Sequence, residues 1–448
     1  MADLSINFAG IKAPNPFWLA SAPPTNSGYQ IIKAFEAGWG GAVWKTLGLP
    51  TINVSSRYGA VNYRDTRMAG FSNIELISDR PLSDNLKEME EVKKYFPYHA
   101  VIASLMVDTR EEWIQIINDV QNAGADGIEL NFGCPHGMCE RGMGSAVGQE
   151  PEVLKTIVEW VMDEAKIPVI TKLSPNVSHI TDPGLAAVQG GTDALSLVNT
   201  FKSIVGLDLD AYAPFPVVDG KGTNGGYCGP AIKPIALHML KELAQHQKIN
   251  HLPISGIGGI ETWKDAAEYI LLGATSLQVC TAAMHYGFGI VREMKSGLEK
   301  FMDDRGYKTI YDFAGKALPN VTEWKHLNLN YNVKAKINSD KCVGCDLCYI
   351  ACDDGAHQAI SLPKDGSRIP SIIEENCVGC NLCSLVCPIE DCITMVQKEN
   401  GKEHITWHER TENNTIPSTF DDARAGGKGH YVPKPVEALK TNINEHGY

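Results

Sequence analysis

No run of about 18 apolar residues occurs anywhere in the sequence, which excludes a membrane-spanning helix. Basic residues are in the minority, 40 Lys and Arg against 53 Asp and Glu, and no polybasic face offsets the formal net charge of -13. The clustered cations that a phosphate backbone requires are missing, so nucleic acid is excluded as a partner. An early Gly-x-Gly-x-x-Gly turn, the fingerprint of a dinucleotide fold, is missing too. The opening Met1–Gly10 has no charged leader followed by an apolar core, so a cytoplasmic protein is expected. Charged residues at 21% and hydrophobic ones at 44% predict a folded chain rather than a disordered one.

What is present is a long alternation. Eight short apolar runs read as strands: Phe17–Ala22, Ala42–Thr46, Val101–Met106, Gly127–Phe132, Pro168–Leu173, Ala194–Asn199, Pro253–Gly256 and Ser276–Thr281. Between them lie amphipathic helices. One follows Thr109, with Trp113, Ile116, Ile117 and Val120 as its apolar stripe and Gly124 as its stop. Another begins at Pro151 and turns Leu154, Ile157, Val158 and Val161 inward; a third is capped by Thr262 and buries Ala266, Ala267 and Ile270. Continuously apolar strands separated by helices mean a parallel sheet covered by helices, and eight units predict a closed (β/α)8 TIM barrel rather than an open doubly wound sheet.

Thirteen cysteines would suggest disulfides in a small secreted chain, but eight fall in two tight runs. Cys342, Cys345, Cys348 and Cys352 follow the spacing C-x2-C-x2-C-x3-C; Cys377, Cys380, Cys383 and Cys387 repeat it, with Pro388 next. This is the pattern of a two-cluster ferredoxin, in which the fourth cysteine of each run crosses to the other 4Fe-4S cluster. One cluster is therefore expected on Cys342, Cys345, Cys348 and Cys387, the other on Cys377, Cys380, Cys383 and Cys352. Paired zinc knuckles are the alternative use of the same thiolates. Asp353, not Pro, follows Cys352, and Cys392, outside both runs, reads as a buried inert thiol. The chain thus divides into a barrel at 1–305, a connector at 306–335, a ferredoxin-like α+β domain at 336–397 and a polar tail at 398–448.

In such barrels the chemistry sits where strands end, and the loops after strands seven and eight often hold phosphate. The seventh run ends in Gly256-Ile257-Gly258-Gly259 and the eighth in Cys280-Thr281, a place where glycine backbone can approach the phosphate of FMN. After the fourth run comes Asn131-Phe132-Gly133-Cys134-Pro135-His136-Gly137-Met138, then a Gly-rich stretch with the composition of a lid. Beside Asn131, Cys134 reads as a proton donor, since an ordinary thiol is mostly protonated at neutral pH. Lys45 and Lys172 close apolar strands and need partners; an anionic reduced flavin is one, a neighbouring carboxylate the plainer choice for Lys45. Asn73, Asn131, Asn199 and Thr200 add polar groups suited to a ring that alternates N–H and C=O. Asn73 alone lies outside a predicted strand end.

The segments Asn15-Pro16-Phe17, Phe35-Glu36-Ala37-Gly38-Trp39-Gly40, Asn73-Ile74-Glu75, Cys134 to Met138 and Leu277-Gln278-Val279-Cys280, with the paired cysteine runs, resemble the dihydropyrimidine dehydrogenases. The resemblance is narrowest to the catalytic subunit of the bacterial NAD-dependent form, whose FAD and nucleotide domains sit on a separate protein. It implies reduction of uracil or thymine to the 5,6-dihydro compound, with Cys134 as proton donor and Asn73, Glu75, Asn131, Asn199 and Thr200 around the pyrimidine. It also implies FMN held by Ser21, Lys45, Thr46, Lys172, Gly229, Gly258, Gly259, Cys280 and Thr281. Gly133 departs from the Ser often found before that cysteine. Clusters pass electrons singly and a flavin stores the pair, so a chain without a dinucleotide fingerprint is expected to draw electrons from a flavoprotein partner carrying FAD and the NAD(P)H site. A homodimer of the barrel chain within such a hetero-oligomer is expected. The rivals are a dihydroorotate dehydrogenase-like FMN enzyme and an electron-transfer subunit with no substrate site of its own.

Overall fold

A computed structural model describes residues 2–49, 51–134, 142–363 and 367–412. It has two compact units that divide between Asn320 and Val321. Of the stretch 306–335, the part up to Asn320 falls in the first unit, where Ile310 and Phe313 are fully buried and Lys308 O accepts from Asp3 N at 2.8 Å.

The first unit is a closed barrel of eight parallel strands: β1 (Phe17–Leu19), β2 (Gly41–Leu47), β3 (Ala100–Leu105), β4 (Gly127–Asn131), β5 (Val169–Lys172), β6 (Ala194–Leu197), β7 (Ile254–Ile257) and β8 (Ala274–Val279). Each pairs with its neighbour in sequence, and β8 closes onto β1 through Leu277 opposite Phe17. Every predicted apolar run is one of these strands. All residues of β2 and β3 are buried, as a sheet covered on both faces requires.

Eight principal helices follow the strands: α1 (Gly28–Ala37), α2 (Leu82–Tyr95), α3 (Arg110–Asn122), α4 (Pro151–Glu164), α5 (Thr181–Gly190), α6 (Lys233–Gln245), α7 (Trp263–Leu271) and α8 (Val291–Asp303). Their starts follow local chemistry. Thr109 and Glu112 form a reciprocal capping box on α3, as Thr262 and Asp265 do on α7, and Pro151 opens α4. The predicted apolar stripes of α3 and α4 are their buried faces.

One element has no counterpart in the sequence reading. A four-stranded antiparallel sheet joins Phe201–Ser203, Gly225–Cys228, Thr66–Asn73 and Tyr58–Tyr63, in that order. Its strands come from the excursions after β2 and β6, at the ends of the barrel strands. Asn73 is therefore a strand end after all, in this added sheet rather than in the barrel.

The second unit pairs Val333–Ile337 with Ile393–Gln397 and Ile360–Ser361 with Ser371–Ile372. Two short helices, Leu347–Gly355 and Leu382–Leu385, carry cysteines of the two runs.

Candidate active site and cysteine cavities

The strand ends β1, β2, β4, β5, β6, β7 and β8, together with the added sheet, surround one cavity of about 970 Å³ including its open mouth. All fifteen residues singled out in the sequence for this unit line it: Ser21, Lys45, Thr46, Asn73, Glu75, Asn131, Cys134, Lys172, Asn199, Thr200, Gly229, Gly258, Gly259, Cys280 and Thr281. The lid segment Pro135–Arg141 lies outside the described residues.

Hydrogen bonding fixes which face each amide shows. Asn131 Nδ2 donates to Thr46 Oγ1 at 2.9 Å, and Asn131 Oδ1 accepts from Asn199 Nδ2 at 2.8 Å and Gly133 N at 3.3 Å. Asn199 Oδ1 accepts from Thr200 N at 2.8 Å, and Asn73 Oδ1 from Glu75 N at 3.0 Å. Each amide carbonyl is thus engaged inside the protein, while each NH2 keeps at least one hydrogen in excess of these bonds. The amides thus keep N–H donors, matched to carbonyl oxygens. Gly133 permits this arrangement: a Cβ there would lie 2.3 Å from Asn199 Cβ.

Both lysines are paired within the protein. Lys45 Nζ stands 3.0 Å from Glu75 Oε1, and Arg57, which also reaches Asp79 at 3.1 Å, meets the same oxygen at 2.8 Å. Lys172 Nζ lies 3.3 Å from Glu129 Oε1, whose other oxygen accepts from Ser196 Oγ at 2.9 Å and Gln278 Nε2 at 2.7 Å. Glu129 is fully buried, and charges so removed from water persist only when paired and hydrogen-bonded. Arg57 and Glu129 were not singled out in the sequence, and Gln278 stood there only within a quoted segment, without a role. Glu129 carried a signal, a carboxylate inside an apolar strand.

Cys134 is 6% exposed and packs with Ile77, Met106 and Met143. Its carbonyl accepts from Ser145 N at 3.0 Å. At the opposite end of the cavity, burial pushes the Cys280 thiol upward, with Cys228 adding to the effect. Burial likewise raises Cys228 to about 11, partly offset by the Thr281 hydroxyl, which donates to its sulfur at 3.2 Å. Neither thiol is ionised at neutral pH. The turn after β7 needs its glycines: Gly258 and Gly259 have φ of +132° and +66°, and a Cβ on Gly259 would stand 2.8 Å from Lys233 Cβ. Their bare backbone leaves a cradle beside Gly229 and Thr281 that fits an anionic group.

In the second unit the two cysteine runs interleave. One cavity of about 340 Å³ is lined by Cys342, Cys345 and Cys348 with Cys387 from the other run; a second, of about 350 Å³, by Cys377, Cys380 and Cys383 with Cys352. This is the three-plus-one crossing expected from the spacing. The turns are built alike. Gly344 and Gly379 take φ of +62° and +76°, where a Cβ would stand 2.6 Å from Arg368 Cβ and 2.4 Å from Val333 O; Asp346 and Asn381 are left-handed as well. Four convergent sulfurs around each space fit an iron–sulfur centre.

A parallel barrel with a polar mouth, on the same chain as paired cysteine cavities, is the build of an oxidoreductase. The chain belongs to the dihydroorotate dehydrogenase family, which residues 3–302 match, while residues 335–395 match the 4Fe-4S dicluster domain. It is 44% identical over 359 residues to the NAD-dependent dihydropyrimidine dehydrogenase subunit PreA of Escherichia coli, covering 80% of this chain and 87% of that one. It is 41% identical to the chloroplastic dihydropyrimidine dehydrogenase (NADP(+)) of Arabidopsis thaliana, over 71% of this chain and 78% of the relative. The catalytic subunit of dihydroorotate dehydrogenase B (NAD(+)) from Thermococcus kodakarensis is 36% identical, over 71% and 99%. Among the described residues no helix is long and apolar enough to cross a membrane.

Proposed function

We propose that this chain reduces uracil or thymine to the 5,6-dihydropyrimidine, in the cytoplasm, with electrons that reach it through two 4Fe-4S clusters from a flavoprotein partner carrying FAD and the NAD(P)H site. FMN is the group for the barrel cavity. Ser21, Lys45, Thr46, Lys172, Gly229, Gly258, Gly259, Cys280 and Thr281 would hold it, with the phosphate at the glycine turn. Bound there, a flavin would supply hydride chemistry toward ring carbon 6, since it can store a pair of electrons delivered singly.

The chain's own residues supply the rest. Asn73, Asn131, Asn199 and Thr200 offer donors to the ring carbonyls, and Glu75, held by Lys45 and Arg57, offers an acceptor to ring N–H. Cys134 gives its proton to carbon 5; hydride and proton together saturate the double bond, and the thiolate left behind is reprotonated from solvent.

Glu75 carries the choice over the dihydroorotate reading. Orotate has a ring carboxylate and needs an uncommitted cation, whereas both lysines of this cavity already face carboxylates and Glu75 would repel the substrate. In the cysteine cavities, the C-x2-C-x2-C-x3-C spacing and the match to the 4Fe-4S dicluster domain support the cluster reading over zinc.

The test is an assay of flavin, iron and sulfide in purified protein, followed by reduction with a viologen donor and competing uracil, thymine and orotate. One FMN per chain, iron for two clusters and consumption of uracil and thymine but not orotate are expected. Preferential orotate reduction, or zinc in place of iron, would overturn the proposal. NADH alone should drive no turnover.

A further inference from the structure

Tyr269 is fully buried on α7, yet it carries a polar tip. A hydroxyl removed from water is costly unless it is hydrogen-bonded, and this one donates to Gly258 O at 2.6 Å. The ring packs against the same strand end, since a Cβ on Gly256 would stand 2.4 Å from Tyr269 Cδ1. The Gly258–Gly259 peptide is trans, so with its carbonyl turned to α7 its N–H points away from that helix. Both glycines and Ile260 line the cavity. Among the described residues, the N–H groups of Gly258, Gly259 and Ile260 donate to no protein acceptor. Lys233, the cation beside the turn, is committed to Asp265 at 2.5 Å and Glu268 at 2.9 Å, and Glu261 on the cavity wall is acidic. An anion at this turn therefore depends on backbone N–H groups rather than on a side-chain cation.

We propose that Tyr269 is a positioning residue for the phosphate of the flavin: its O–H locks the Gly258–Gly259 peptide so that the N–H groups of the turn stand ready for the anion, and it thereby sets the preference for a phosphorylated flavin over an unphosphorylated one. The inference rests on the reading that FMN fills the barrel cavity with its phosphate at this turn. Glycine needs such a lock. With φ of +132° and +66°, Gly258 and Gly259 occupy a region that suits residues without a Cβ, and the same freedom lets the peptide between them rotate. A peptide turned about would present its carbonyl to the phosphate, acceptor against acceptor. Holding the carbonyl on α7 removes that alternative before the ligand arrives, and order supplied in advance is kept as affinity. Phenylalanine in this place would fill the same space and leave the carbonyl unheld.

Tyr269→Phe in the full chain tests this, with FMN and riboflavin titrated separately into flavin-depleted protein and read by quenching of flavin fluorescence. The parent should prefer FMN. In the variant FMN should bind about three- to tenfold more weakly, the worth of one intramolecular hydrogen bond, while riboflavin, which has no phosphate, keeps its parent affinity. Because both ligands meet the same sample, a general loss of stability weakens both and cannot imitate a change confined to FMN. Unchanged FMN affinity would overturn the proposal, and so would equal weakening of the two flavins, which would leave Tyr269 with packing alone. A parent without preference for FMN would overturn it too, by taking the phosphate away from the turn. Parent protein that takes up neither flavin is a different failure, that of the proposed function itself.

Discussion

On the proposed reading Cys134 is the acid of the barrel mouth. It packs with Ile77, Met106 and Met143. General acid catalysis of this kind is worth about 10²- to 10⁴-fold. Cys134→Ala is therefore expected to lower uracil reduction by that range while flavin and cluster absorbance stay as in the parent, and Cys134→Ser to retain part of the rate. Stopped-flow turnover beside the two spectra checks it; normal turnover in the alanine variant would remove the acid from Cys134. The residue scale is also where the sequence was most legible. Lys45, Asn131, Lys172 and Asn199 stand out because each lies at the end of an apolar run, and strand ends in a barrel face its mouth. Their partners were hidden, since Glu129 meets Gln278 across 149 residues, a pairing that only barrel closure creates.

At the scale of elements, the turn after β7 carries the anion cradle. Gly259 has φ of +66° and sits close to both Lys233 and the Gly229 carbonyl, so a side chain meets backbone strain and crowding together. A left-handed residue with a Cβ costs about 1–2 kcal/mol before any displacement of α6. Gly259→Ala should accordingly lower both the melting temperature and the flavin retained per chain on gel filtration, and full flavin at unchanged stability would show that the turn does not hold the phosphate. The barrel strands and helices were legible because burial on both faces writes itself as continuous apolar runs, and caps such as Thr109 and Thr262 mark helix starts. The added sheet was not. Its strands mix exposed, half-buried and buried residues without a clean alternation, glycine interrupts them, and Thr66–Asn73 pairs with Gly225–Cys228 from a distant excursion. No local period records such pairing.

At the scale of the whole chain, the two units differ in what keeps them folded. The barrel buries a continuous apolar core running from Leu4 to Phe313. Among its described residues the second unit buries little apolar surface. The core formed among these described residues numbers nine, of which five are cysteines: Cys348, Cys352, Cys377, Cys383 and Cys392. A domain this small rarely stabilises itself by apolar burial alone, and burying thiols in place of leucines leaves the deficit to be made up by whatever those thiols bind. Because ligation occurs only in the folded state, its free energy is folding free energy. Anaerobic removal of iron with a chelator should then unfold the second unit while the barrel keeps its cooperative melt and its flavin. Hydrogen exchange resolved by peptide reads both at once. Protection should vanish between Val333 and Gln397 and persist in β2 and β3, whose residues are all buried. Equal protection of the second unit with and without iron would mean that its sparse core suffices, and that the cysteines serve electron transfer without supporting the fold.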